Sequence, residues 1–196
     1  MKTRRSYTMG ARARAVEETR RRILDATAAL SGHRRIATIS LEDVADGAGV
    51  SVQTVLRQFG SRAGLLEATR THVQDAVTAE RQVPAGDVDA AVAVVVDHYE
   101  ARGPAVLLLL AQEAEDALVR SITDDGRRIH RQWVEAVFAP FRPTTGLADL
   151  LTVATDVYTW KLLRLDRGLS RAQTEGRMRT LVRALLDTGA VEGEHR

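Results

Sequence analysis

At 196 residues with 44% apolar side chains, the chain can bury one large core or two small ones. It contains no cysteine, which excludes disulfides, thiolate metal sites and cysteine nucleophiles. The net charge of +2 hides an asymmetry: residues 1–40 hold ten Lys or Arg against three acidic residues, a net +7, so the remainder carries −5. A basic leading segment on an acidic body fits an anionic polymer held at one end.

No signal peptide is visible, and the longest apolar runs, 90–96 and 105–111, fall short of the roughly 20 residues that span a bilayer. A soluble, cytoplasmic protein with no membrane partner is expected. In chain order, residues 1–12 read as a solvated tail, and 14–31 as a helix with Val16, Ile23, Leu24, Thr27 and Leu30 on one side and Gly32 as its stop. The segment Ile39–Leu66 reads as two short helices joined by a tight turn, then a third. Ser40 stands where its hydroxyl caps a helix carrying Leu41, Val44 and Ala45 on one face. Gly49 can take the positive φ of a sharp turn, and Ser51 can cap the next helix, whose buried side continues through Val55 and Phe59.

This segment resembles the DNA-binding head of the tetracycline-repressor (TetR) family. The family's run of motif residues occurs here as Val44-Ala45, Ala48-Gly49-Val50-Ser51, Thr54, Phe59, Arg62 and Leu65. Leu56 stands where the family usually has a phosphate-contacting Tyr, and Arg62 replaces its usual Lys. By position in the motif, Val52, Gln53 and Thr54 are expected at base edges or adjacent phosphates, and Ser51 beside them as the cap. Thr38, Ser40, Arg57, Gln58 and Arg62 are expected at phosphates, with Arg4 and Arg5 supplying basic contacts from the arm. The resemblance implies a homodimeric regulator, most readily a repressor, on a palindromic double-stranded operator that a small-molecule effector releases.

Beyond the head, a helix is expected from Arg62 to about Glu80, then helices at about 87–102, 104–120, 125–139, 146–165 and 170–188. Gly103-Pro104, Pro140–Gly146 and Arg167-Gly168 punctuate them. The fold class is therefore all-α: residues 1–60 form the arm and the helix-turn-helix domain, and 61–196 form a helical effector-binding and dimerisation domain. The helix at 146–165 is apolar on two sides. From it Leu147, Leu151 and Ala154, with Met178, Leu181 and Leu185 of the last helix, are expected to build a four-helix dimer interface as the resemblance implies.

His98 and Glu113 place titratable groups on otherwise apolar faces, and with Tyr99, Trp133 and Tyr158 they are the expected effector-binding residues. Aromatic walls and one carboxylate would favour a small apolar molecule with a polar, preferably cationic, handle. No metal or cofactor is expected, since the five histidines form no i, i+4 pair. Gly168-Leu169-Ser170 lacks the closing glycine of a nucleophile elbow, and no catalytic residues are expected. The competing reading is a helical carrier or enzyme that uses an inner cavity.

Overall fold

The computed structural model describes residues 3–193, with side chains described for residues 12–188. The chain divides into two compact units, 1–76 and 77–196. The division lies inside the helix that starts at Arg62, one of the two places the sequence allows, the other being the break at Pro84–Asp87, and so beyond residues 60/61; Leu65 of that helix is fully packed into the N-terminal core.

The first unit holds α1 (Thr3–Ser31), a 3-10 turn (Ile36–Thr38), α2 (Leu41–Ala48), α3 (Val52–Phe59) and most of α4 (Arg62–Glu80). The sequence predicts a tail up to residue 12, but α1 reaches back to Thr3. Its first turns are rich in Arg, Ala and Met, whose helix propensity outweighs the single Gly10. Ile23 and Leu24 of α1, Ile39, Val44, Ala45 and Ala48 around α2, and Val55 of α3 close a core with Leu65. The turn between α2 and α3 works as expected: Gly49 has φ 64° and ψ 43°, and Val50 N–H returns to the Ala45 carbonyl at 2.9 Å.

The second unit holds the end of α4 with α5 (Val88–Leu110), α6 (Ala117–Phe138), α7 (Thr145–Ala154), α8 (Val157–Lys161) and α9 (Arg171–Gly193). Three expected boundaries move. The helix predicted to stop before Pro104 continues through it, since proline removes one donor only and the preceding Gly103 has no Cβ to clash. A Cβ at Gly103 would sit 2.5 Å from the Trp160 ring, so this glycine is required by close packing. The break falls instead at residues 111–116, where Asp116 accepts from Leu118 and Val119 N–H and starts α6. The helix predicted over 146–165 is cut at Thr155-Asp156, because Asp156 caps α8 by accepting from Tyr158 N–H at 2.8 Å. Past α8 the chain widens into a π-helical turn, Leu162–Asp166, closed by Arg167 N–H on the Leu162 carbonyl at 3.0 Å. The core of this unit is built from Val92, Val95, Val96, Val134, Phe138, Leu151, Trp160, Met178 and Val182.

Candidate functional site

The N-terminal unit presents one face of α3 to solvent. Ser51 accepts from Thr54 N–H at 3.2 Å and its hydroxyl lies 3.0 Å from that of Thr54, which fixes the helix start. Val55 is fully buried and anchors one side, while Gln53, Leu56 and Arg57, spaced i, i+3 and i+4, face solvent together. Val52, expected at bases, is half-buried against the core, and so is the Thr54 side of the helix. Gln58 is half-buried, and its carbonyl accepts from Arg20 of α1 at 3.4 Å. The Arg20 guanidinium also lies 4.6 Å over the Phe59 ring, so it braces the C-terminal end of α3. Arg4 and Arg5 lie outside the residues whose side chains are described.

Α capping box starts α2. Ser40 Oγ accepts from Asp43 N–H at 3.1 Å, and Asp43 accepts from Ser40 N–H at 2.8 Å. Arg34 binds the same carboxylate at 2.9 Å and, with the Ser40 bonds, holds it well below the usual carboxylate range. The Ser40 hydroxyl is thus engaged at the cap, and the exposed Thr38 hydroxyl donates to the Arg35 carbonyl at 2.8 Å. Arg62, expected at a phosphate, donates from Nε to the Ile39 carbonyl at 3.0 Å and from Nη2 to the Ile36 carbonyl at 2.5 Å. It ties the start of α4 to the turn preceding α2. These carbonyl partners lie more than twenty residues away in sequence, so no local pattern announces them.

In the C-terminal unit the five expected effector residues separate. Tyr158 is 57% exposed, because the Asp156 cap restarts the helix and turns it outward. Glu113 sits in the break after α5, bound by Thr123 Oγ1 at 2.6 Å and Arg127 Nη2 at 2.6 Å, and these bonds lower its pKa. Its carboxylate is already neutralised. His98, Tyr99 and Trp133 are joined by His130, which the sequence also places in the same interior, and by one residue that it does not single out, Arg81. Tyr99 donates to the Thr155 carbonyl at 3.2 Å, Trp133 Nε1 donates to the Arg81 carbonyl at 2.8 Å, and Arg81 Nη2 donates to His130 Nδ1 at 2.9 Å. His130 is stacked on Trp133 at 5.9 Å and must carry its proton on Nε2, which faces the Thr152 carbonyl at 3.3 Å. Burial, then the Arg81 charge, pushes His98 down to about 4 and His130 down to about 3. Both are neutral at physiological pH. Arg81 follows α4 in a Glu-Arg-Gln stretch that reads as solvent-facing, so its burial left no sequence signal.

The expected dimer stripe faces inward. Leu151, Ala154 and Met178 are 0–1% exposed, and Leu147 and Leu185 pack on the same core. Of the six, Leu181 alone is exposed. The opposite apolar face is open: Leu150, Val153, Tyr158, Leu162 and Leu165 are 49–62% exposed. A cavity of about 350 Å³ adjoins it, lined by Leu162, Leu163, Arg167, Leu169 and Arg177. Among the described residues, no group of three His, Asp or Glu side chains could hold a metal ion, and no helix is long and apolar enough to cross a membrane.

A capped helix pair with an exposed second helix defines a helix-turn-helix DNA-binding protein with an all-helical second unit. Residues 23–69 match the family model of the bacterial regulatory proteins, tetR family. In fold the chain is similar to a tetR-family transcriptional regulator from Streptomyces coelicolor, with TM-score 0.67 at 20% identity over 91% of this chain and 85% of that one. It is also similar to a transcriptional regulator from Rhodococcus sp. Rha1, with TM-score 0.66 at 17% identity over 86% and 96%. GusR of Salmonella enterica gives TM-score 0.64 at 19% identity over 86% and 95%. No curated protein matches the chain by sequence.

Proposed function

We propose that this DNA-binding regulator is a ligand-responsive repressor that occupies a palindromic operator as a homodimer. The carrying observation is the outward face of α3, where Gln53, Leu56 and Arg57 stand exposed on a helix capped at its start and braced at its end. In this reading Gln53 meets base edges, Leu56 offers apolar contact to a thymine methyl, and Arg57 meets phosphate. Arg62 positions the head. Residues beyond the head bind the effector and dimerise, and the protein acts by binding rather than as an enzyme.

The open face of Leu150, Val153, Tyr158, Leu162 and Leu165, with Leu181, supports the dimer better than the stripe expected from sequence, since it is what the fold leaves uncovered. A two-fold axis through such a face doubles the reading heads and demands two half-sites. Selection of bound duplexes from a random library, paired with sedimentation, tests this. The expected outcome is inverted half-sites about one helical turn apart, bound by a dimer; single half-sites bound by a monomer would refute it.

A further inference from the structure

The inner polar cluster of residues 77–196 holds a cation for which the fold supplies no bonded counter-charge. Arg81 is 5% exposed, and its guanidinium lies 4.2 Å over the Trp133 ring. One edge is used, by Nη2 on His130. Its Nε is buried with no hydrogen-bond partner, and among the described residues no carboxylate is within ion-pair distance of it. Asp156 is near enough to act on Arg81 electrostatically, but its carboxylate caps α8. Tyr99 is held protonated by burial, and His130 presents a lone pair to Arg81 rather than a charge.

A second orphan faces the same neighbourhood. His98 is 8% exposed, its Nδ1 is buried without a hydrogen-bond partner, and it lies within electrostatic reach of Arg81 and His130. The nearest carboxylate to His98, that of Glu80 at 4.0 Å, is clamped by Arg102. Two unused polar groups, one carrying a fixed positive charge, thus sit among aromatic and aliphatic side chains. Buried polar groups are ordinarily bonded, and buried charges paired. Here the missing partner is an anion with an apolar body.

We propose that Arg81 and His98 form the anion-holding end of the effector site, and that the effector is a small apolar organic carboxylate. Arg81 offers Nε–H and its free Nη–H groups to the carboxylate, and His98 adds Nδ1. One fixed positive charge matches a monoanion, since both histidines are neutral; the rings of Trp133 and Tyr99 suit a hydrocarbon or aromatic body. The inference rests on the reading that the C-terminal unit binds an effector, and it reverses the cationic preference that Glu113 suggested, because Arg127 has taken that carboxylate.

The test uses the full chain without DNA at neutral pH. Benzoate, phenylacetate and hexanoate are compared with their amides by thermal shift and titration calorimetry, with chloride and phosphate at matched ionic strength. At least one acid should bind about tenfold or more tightly than its amide, and Arg81→Gln, which keeps a donor for His130, should erase that preference. Equal behaviour of every acid and its amide, an equal response to chloride or phosphate, or an intact preference in Arg81→Gln overturns the inference. The acid and amide comparison on the wild type needs no variant, so it stands even where Arg81→Gln folds poorly. Duplex binding on the same samples separates the two readings. Loss of DNA binding in the wild type sinks the regulator proposal, whereas DNA binding without carboxylate preference sinks this inference alone.

Discussion

Replacing Arg62 by Met keeps an unbranched apolar stem and removes both bonds from its guanidinium to the Ile36 and Ile39 carbonyls. Hydrogen bonds to charged groups contribute about 1.5–3 kcal/mol each, and water can partly replace these at a half-buried site, so the pair should contribute about 2–4 kcal/mol to the N-terminal unit. Both tryptophans, Trp133 and Trp160, lie in the C-terminal unit. A urea titration of Arg62→Met should therefore shift the circular-dichroism transition to lower denaturant and leave the tryptophan fluorescence transition in place. At low denaturant, where the head is folded, the salt slope of DNA binding should match the wild type, because the guanidinium positions the head rather than meeting a phosphate. An unchanged circular-dichroism midpoint together with a slope reduced by about one contact would refute the positioning role and restore the phosphate role.

The buried histidines make stability pH-dependent. Their folded pKa values, about 4 for His98 and about 3 for His130, lie below the ordinary 6.5, so the unfolded chain takes up protons first as pH falls. Stability is full above pH 6.5 and is lost through the acid range below it; between pH 7.5 and 5.5 the two should remove about 3 kcal/mol, and equal urea stability at both values would contradict this. Val153→Glu, at a side chain 62% exposed in the protomer, should leave protomer stability within about 0.5 kcal/mol and convert a dimer to monomers in sedimentation. A Val153→Glu dimer would exclude this face as the interface. Gly103→Ala drives a methyl into the Trp160 ring and should cost about 1–3 kcal/mol with an altered tryptophan emission spectrum, and a silent substitution would mean that α5 and α8 are farther apart than described.

The head was legible because its signals are local. Ser40, Gly49 and Ser51 each act within three or four residues of chain, and the structure uses each as its position suggests. The C-terminal unit was legible as helices but not as faces. Leu147, Leu151 and Ala154 and the opposite pair Leu150 and Val153 are equally apolar, so periodicity could not tell the protomer core from the open side. Pro104 reads as a stop in the sequence, yet burial of Gly103 against Trp160 carries the helix through it. Asp116 and Asp156 are ordinary caps inside acidic or mixed stretches, where nothing marks one carboxylate over its neighbours. Arg81 itself, and the carbonyl partners of Arg62, are illegible for a different reason: they are assigned by tertiary packing alone.

Fluorescence anisotropy of duplex DNA across a salt series, with wild type and Arg57→Ala side by side, tests the central claim most directly. The account predicts that the wild type binds duplex DNA with a steep negative salt slope, and that Arg57→Ala binds all sequences more weakly with the slope shallower by about one contact. Absence of duplex binding at physiological salt, or an Arg57→Ala slope equal to the wild type's, would contradict the assignment of α3 as the reading helix.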